Sequence, residues 1–220
     1  MIILEELKII EIGIEAKMFS GIVEEKGNIK EIFSGENIIT LCVHCTKDFC
    51  KNLKQGDSVA VDGTCLTITK LNKEELYFDL VEETLSRTIA KKYGVGHTVN
   101  LETSLKFGGY VGGHLMAGHV HGKGKVLEVE IIGASKNIVI DLPEKWTKYV
   151  FEKGYIGING CSITIGNINE TRFQVHLIPE TLKSTNLDTL IFGDEVNLEI
   201  DQSTIAVVDT TERVLSNQTK

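Results

Sequence analysis

Proline is nearly missing from this chain: two of 220 residues, Pro143 and Pro179. Proline removes a backbone donor and interrupts sheets, so its scarcity leaves strand ladders largely unbroken. Basic residues are outnumbered, 23 Lys and Arg against 31 Asp and Glu, for a net charge of −8. Nucleic-acid binding needs clustered Lys and Arg against phosphate, so no nucleic-acid partner is expected. No apolar run approaches the roughly 18 residues that span a bilayer, so no membrane partner is expected. The first 17 residues are partly apolar but are broken by Glu5, Glu6, Lys8, Glu11, Glu15 and Lys17. A secretory signal has a basic start and an unbroken apolar centre, and this segment has neither. Residues 1–17 read as a leader or upstream extension, with Met18 opening the domain. An extra strand or short helix is the competing reading.

A disulfide framework is also missing. Cys42, Cys45, Cys50, Cys65 and Cys161 are an odd set without framework spacing, which points to a reducing cytoplasm. Cys42-Val-His-Cys45 has the look of a metal motif. It sits in a stretch, 37–43, that reads as strand, where positions three apart face opposite sides. No second Cys/His pair with zinc spacing follows, so no metal site is expected.

What the chain does have is a copy of itself. Gly21, Val23, Lys26 and Gly27 recur as Gly118, Val120, Lys123 and Gly124, an offset of 97 (118 less 21). Gly63, Thr67 and Ile68 recur as Gly160, Thr164 and Ile165. Leu80 and Glu83-Thr84-Leu85 recur as Leu177 and Glu180-Thr181-Leu182, and Val99-Asn100-Leu101-Glu102 as Val196-Asn197-Leu198-Glu199. The register never slips. A period this long is a small domain rather than a solenoid repeat. Two copies of one domain are expected, over residues 18–114 and 115–202, with a tail at 203–220.

Short Ile, Val and Thr stretches alternate with Gly, Asn and Asp turns throughout, the pattern of a sandwich or barrel. Asp62-Gly63 and Asn159-Gly160 are tight-turn dipeptides at matching positions. Single helical turns are expected over 82–88, 179–185 and 142–151, the last with Pro143 near its start. The tail reads as a helix with Ile205, Val208 and Leu215 on one side. It is a candidate either for packing on its own barrel or for oligomer contacts.

Five blocks are specific. They are Met18-Phe-Ser-Gly-Ile-Val-Glu, Asp62-Gly-Thr-Cys-Leu-Thr-Ile, Gly112-Gly-His-Leu-Met-Ala-Gly-His-Val, Gly157-Ile-Asn-Gly-Cys-Ser-Ile-Thr-Ile and His176-Leu-Ile-Pro-Glu-Thr-Leu. In this order and spacing the chain, from residue 18 to about 215, resembles the alpha-type riboflavin synthase family of lumazine-binding proteins. The resemblance implies an all-β fold: two tandem six-stranded antiparallel Greek-key barrels and a C-terminal helix that joins three chains. It implies dismutation of two 6,7-dimethyl-8-ribityllumazine molecules to riboflavin and 5-amino-6-(D-ribitylamino)uracil, with no metal or redox cofactor. Each active site would combine two chains of the homotrimer. An association with lumazine synthase is left open.

The family's pocket residues carry over by position. With the first barrel go Gly21, Ile22 and Val23; Cys65, Leu66 and Thr67; and Asp79, Leu80, Val81, Glu82, Glu83 and Thr84. With the second go Gly118, His119 and Val120; Lys153; Ser162, Ile163 and Thr164; and Leu177, Ile178, Pro179, Glu180, Thr181 and Leu182. Thr64 departs from relatives that carry a second cysteine there, next to the pocket position, and little effect on the chemistry is expected. Strand backbone and the Thr67 and Thr164 hydroxyls suit the polar edge of a lumazine. Val23, Ile163 or Ile178 would cover a ring face.

His119 is the favoured proton-transfer group, because histidine titrates near neutrality. Its first-copy counterpart, Ile22, cannot do this. Cys65 and Ser162, at equivalent positions, assist or merely pack, and Thr164 is grouped with them as catalytic. His114 and His121 read as hydrogen-bonded structural residues. Lys153 meets a ribityl hydroxyl or is a solvated surface lysine. Ser58 and Asp201 resemble positions near the chemistry, though Asp201 equally suits a helix cap. A non-catalytic lumazine- or flavin-binding protein is the alternative reading.

Overall fold

The structure, a computed structural model, describes residues 18–36, 38–106 and 108–218. The leader at 1–17 lies outside the described residues. In the first half β1 (Glu25–Ser34), β2 (Ile38–His44), β3 (Ser58–Val61), β4 (Thr64–Asn72), β5 (Glu75–Val81) and β6 (Thr98–Thr103) close a barrel in the order β1-β2-β5-β4-β3-β6. In the second, β7 (Gly122–Ile132), β8 (Ser135–Asp141), β9 (Tyr155–Ile158), β10 (Cys161–Asn169), β11 (Arg172–Leu177) and β12 (Glu195–Ile200) close another in the equivalent order. All pairs are antiparallel.

The 97-residue offset survives in the details. β1 and β7 carry register shifts at equivalent places, between Ile29 and Glu31 and between Val126 and Glu128. Such bulges sharpen the local twist and bend that close a small barrel. Each barrel fills with its own alternate residues. Leu41, Val43, Leu66, Ile68, Phe78 and Leu101 are among those packed in the first, and Ile138, Ile140, Ile163, Ile165, Phe173 and Leu198 in the second. Full burial of each contributes about 1.5–3 kcal/mol.

Helix is confined to short pieces and the tail. Lys47–Cys50 (α1), Glu82–Arg87 (α2) and Pro179–Ser184 (α3) are single turns, and Gln202–Gln218 (α4) ends the described chain. The segment after Pro143 forms a 3-10 helix, Glu144–Tyr149. Asp201 caps α4, its carboxylate accepting the Thr204 N–H at 2.9 Å and hydroxyl at 2.7 Å. Lys148 and Tyr149 anchor α4 through Asp209, at 3.2 and 2.6 Å. Ile205 and Val208 are half-buried as expected, but Leu215 stays 57% exposed. At the end of β2, Cys45 Sγ sits 3.1 Å from Cys50 Sγ rather than beside Cys42.

The barrels are joined by buried polar groups. Asn100 Nδ2 donates to the Asn159 carbonyl of the other barrel at 2.8 Å, and Asn197 Nδ2 donates to the Asp62 carbonyl at 2.8 Å. Asn100 Oδ1 accepts from Asn186 N at 2.7 Å, and Asn197 Oδ1 accepts from Ile89 N at 2.8 Å. Each bond of one set maps onto the other by the same offset. Both tight turns have two positive φ angles: 44° and 77° at Asp62-Gly63, 46° and 78° at Asn159-Gly160. The turns meet back to back. A Cβ on Gly63 would stand 2.6 Å from Gly160 N.

Gly63→Ala should therefore lose stability twice over. The left-handed backbone costs a non-glycine residue about 1–2 kcal/mol, and the turns must also part. A melting temperature lower by about 4 °C or more is expected. An unchanged melting temperature contradicts the close approach of the turns.

Candidate functional site

Each barrel has an opening in its wall at the same place. β4 and β5 pair from Ile68 and Phe78 towards the Asn72–Glu75 end. Beyond that point residues 64–67 stay with β3 and residues 79–81 with β2. The two strands part, and α2 begins where β5 ends. In the second barrel β10 and β11 pair from Ile165 and Val175, while residues 161–164 stay with β9 and α3 follows β11. The result is a seam on the outside of each barrel, edged by strand backbone.

The edge of each seam is met by a segment from the other half of the chain. Gly118 O accepts the Cys65 N–H at 2.8 Å, and Gly21 O accepts the Ser162 N–H at 2.8 Å. Phe19 and Met116 pair where the two segments run past each other. Both glycines have φ +72°, and a Cβ on either would stand 2.6 Å from the Cβ of Ser162 or Cys65. This corrects the grouping expected from sequence. Gly21, Ile22 and Val23 belong with the second barrel's seam, and Val23 packs on that barrel's core. Gly118, His119 and Val120 belong with the first. Position along the chain suggested the opposite because the crossing is invisible without the backbone.

The remaining expected residues divide by strand alternation. Thr67, Asp79, Val81, Glu82 and Glu83 face outward along the first seam, as do Thr164, Ile178, Pro179 and Glu180 along the second. Thr84, Thr181 and Leu182 are half-buried beside them, and Cys65 and Ser162 are half-buried at the edges. Leu66, Leu80, Ile163 and Leu177 point into the barrel interiors. Ile163 is therefore no cover for a ring face; only its backbone is near the seam, because the outward Thr164 follows it by alternation. Val120 is buried, and Lys153 is exposed with φ 64° and its N–H on Ile165 O at 2.9 Å. Asp79 accepts the Thr40 hydroxyl at 2.6 Å, and its counterpart His176 places Nδ1 2.6 Å from Asn137 Oδ1.

Among the histidines, His119 is exposed. His121 is half-buried, accepts the Ile200 N–H at 3.2 Å through Nδ1 and meets Trp146 edge-on. His114 is buried, its Nδ1 lies 2.6 Å from Ser162 Oγ, and its ring stacks on Tyr155. Burial holds the imidazoles of both His114 and His121 below the usual range. His114 is thus buried and hydrogen-bonded, as the sequence reading had it, and its partner is a seam residue. Ser58 Oγ is buried without a partner among the described residues.

Two carboxylates were missed. Glu102 accepts the Ser20 N–H at 2.6 Å, the Ser20 hydroxyl at 2.8 Å and the Gly21 N–H at 3.0 Å. Glu199 accepts the Ala117 N–H at 2.7 Å, and the N–H groups of His119 and Gly118 also favour its ionised form. Burial nonetheless pushes both carboxyls up to about 7. The signal was present: both end the duplicated Val-Asn-Leu-Glu run, where a buried strand position holds an acid.

Comparison with known proteins agrees with this architecture. The family model described as the lumazine binding domain matches residues 20–104 and 117–201. A riboflavin synthase of Chlamydia pneumoniae is 39% identical over 92% of this chain and 100% of its own. One of Escherichia coli (strain K12) is 42% identical over 90% and 94%. The crystal structure of LumP complexed with riboflavin superposes with a TM-score of 0.79 at 27% identity, covering 84% of this chain and 100% of LumP. LumP complexed with 6,7-dimethyl-8-(1'-D-ribityl)lumazine gives 0.77 at 26%.

The raised carboxyl of Glu102 has a consequence for stability. An unfolded glutamate titrates near about 4.3. Between that value and about 7 the folded chain binds the proton more tightly. The group's contribution is thus fully present below its unfolded value and is lost as pH rises through about 7. In urea unfolding, the stability difference between the parent and Glu102→Gln should move in the parent's favour as pH falls from about 8 to about 5. A difference that ignores pH, or moves the other way, contradicts this.

Proposed function

The chain belongs to the lumazine-binding-domain family and, within it, to the riboflavin synthases, and from that premise we propose how its two seams divide the work. The reaction is a transferase reaction: one 6,7-dimethyl-8-ribityllumazine gives a four-carbon unit to another. The acceptor becomes riboflavin and the donor becomes 5-amino-6-(D-ribitylamino)uracil. Like substrates in unlike roles call for two related but unequal pockets. The observation that carries the reading is that pair of seams, equivalent in backbone and different in side chains.

In this reading the first seam holds one lumazine between Thr67, the Asp79–Thr84 run and the Gly118–Val120 segment. The second holds the other between Ser162, Thr164, the Ile178–Leu182 run, Lys153 and the Gly21–Val23 segment. Strand backbone meets the polar edge of each ring. Val81, Ile178 and Ile22, all about half exposed, supply apolar cover that is free to accept a ligand. Both substrates already contain the acidic methyl group and the electrophilic ring, so orientation is the main contribution. Holding two rings face to face is worth an effective molarity of about 10⁵ M, roughly 7 kcal/mol.

His119, exposed at the first seam, takes the proton from the activated methyl group and adds about 10²-fold. Cys65, Ser162 and Thr164 assist at the ring edges. Ser162 is fixed by its 2.6 Å contact with His114. No metal or redox cofactor is required, because the rings carry the reactive centres.

The reacting pair would meet across two chains of a homotrimer. Support comes from α4, which leaves Val207, Val214 and Leu215 exposed as apolar surface that other chains would cover. Residues 18–114 and 115–202 would then be the two working halves and 203–220 the assembly tail. A cytoplasmic location suits the free thiols, and no helix among the described residues is long and apolar enough to cross a membrane. An association with lumazine synthase would bring substrate to the seams. A LumP-like binding protein is the alternative. It is less supported, because the Chlamydia pneumoniae and Escherichia coli riboflavin synthases are 39% and 42% identical and LumP 26–27%.

Mixing the protein with 6,7-dimethyl-8-ribityllumazine should develop riboflavin absorbance; binding without colour change would refute the enzyme reading. His119→Ala should lose about 10²-fold or more in kcat with binding retained. Undiminished turnover removes His119 from the mechanism.

A further inference from the structure

Two buried acids lie beneath the segments that edge the seams. Glu102 is 4% exposed and Glu199 3% exposed, and neither makes an ion pair with a Lys, Arg or His among the described residues. Burying a carboxylate without a cation costs several kcal/mol unless strong donors surround it. The donors here are main-chain N–H groups of the two crossing segments. Glu102, at the end of β6 in the first barrel, holds Ser20 and Gly21. Gly21 is the residue whose carbonyl edges the second barrel's seam at Ser162. The Ser20 hydroxyl, itself donating to Glu102, accepts the Ile22 N–H at 3.3 Å and extends the hold to the next residue. Glu199, on β12 of the second barrel, holds Ala117, one residue before Gly118, whose carbonyl edges the first barrel's seam at Cys65.

We propose that Glu102 and Glu199 are crosswise positioning residues: each fixes the segment that its own half of the chain lends to the other barrel's pocket. The inference rests on the assignment of the two seams as lumazine pockets. It goes further by stating which acid governs which pocket. Glu102 accepts through both oxygens, Oε1 from the Ser20 N–H and hydroxyl and Oε2 from the Gly21 N–H, whereas Glu199 accepts the Ala117 N–H through Oε1 and its Oε2 is buried without a hydrogen-bond partner among the described residues. Above about 7 each is an ionised acceptor that offers no donor in return. Glutamine turns one acceptor into a donor facing those N–H groups. Hydrogen bonds to a charged group are worth more than neutral ones, and a buried donor left without its acceptor loses the full desolvation cost.

The test pairs Glu102→Gln and Glu199→Gln with two readouts. Amide hydrogen exchange on the full chain reads the segments directly. Glu102→Gln should speed exchange at Ser20 and Gly21 by about tenfold or more and leave Ala117–His119 as in the parent. Glu199→Gln should do the reverse. Double-mutant cycles on the binding of a ribityllumazine without ring methyls read the pockets. Glu102 should couple to Ser162→Ala, and Glu199 to Cys65→Ala, with the same-barrel pairs additive. Coupling that follows barrel membership, both segments loosening together, or exchange unchanged in both variants overturns the proposal. Ser20→Ala removes one hydroxyl donor and should give the Glu102 pattern on a smaller scale, about threefold, if Glu102→Gln does not fold. Parent protein that fails to bind the lumazine refutes the functional reading, and the exchange result then still decides the role of the acids.

Discussion

Two asparagine carboxamides hold this molecule in register. Asn100 and Asn197 each reach from one barrel to the turn of the other, donating to its carbonyl at 2.8 Å and accepting an N–H from the segment beyond. A buried carboxamide left unpaired costs about 1–3 kcal/mol, so the four bonds stand or fall together with the meeting of the two glycine turns. That registration sets where the segments before β1 and before β7 run. Once the barrels are locked back to back, Phe19 and Met116 must pair, and Gly21 and Gly118 arrive at the opposite seams. Neither barrel alone has a complete seam edge, which gives a physical reason for keeping both copies on one chain.

The duplication is faithful in backbone and loose in chemistry. Turns, bulges, capping helices and the acids at the ends of β6 and β12 repeat. The side chains at the seams do not: Ile22 stands against His119, Cys65 against Ser162, Asp79 against His176. Even the clasp is asymmetric. Asp62 is an acid that burial raises to about 6, whereas its counterpart Asn159 is neutral. Both side chains accept the same bond, from Asn100 N and Asn197 N, each at 2.8 Å. On the proposed reading, shared backbone would fit one kind of ligand twice, and divergent side chains would let the two copies treat it differently.

Much of the fold was legible because it repeats. The offset of 97 divided the chain into two equivalent halves, the family resemblance implied six strands in each, and Asp62-Gly63 and Asn159-Gly160 announced their turns through residues that tolerate positive φ. Thr67 and Thr164, expected at the ring edge by resemblance, lie outward on strands whose residues alternate. The same alternation, applied more strictly, would have sent Leu66, Leu80, Ile163 and Leu177 into the cores, where they are found. What sequence could not give is partner choice across space. Gly21 and Ser162 are 141 residues apart (162 less 21), and nothing local says that they meet. His114 was read as a hydrogen-bonded structural residue, but its partner, Ser162, is likewise distant in sequence and could not be named. Glu102 and Glu199 were visible as copies, but their work lies in which N–H groups they face.

The central claim is that one chain carries two lumazine sites, alike in backbone and unequal in chemistry. Calorimetric titration with a ribityllumazine that lacks its ring methyls, and so binds without turnover, tests it most directly. The account predicts two molecules bound per chain in two classes of different affinity. One molecule per chain, or two sites that cannot be told apart, would contradict it.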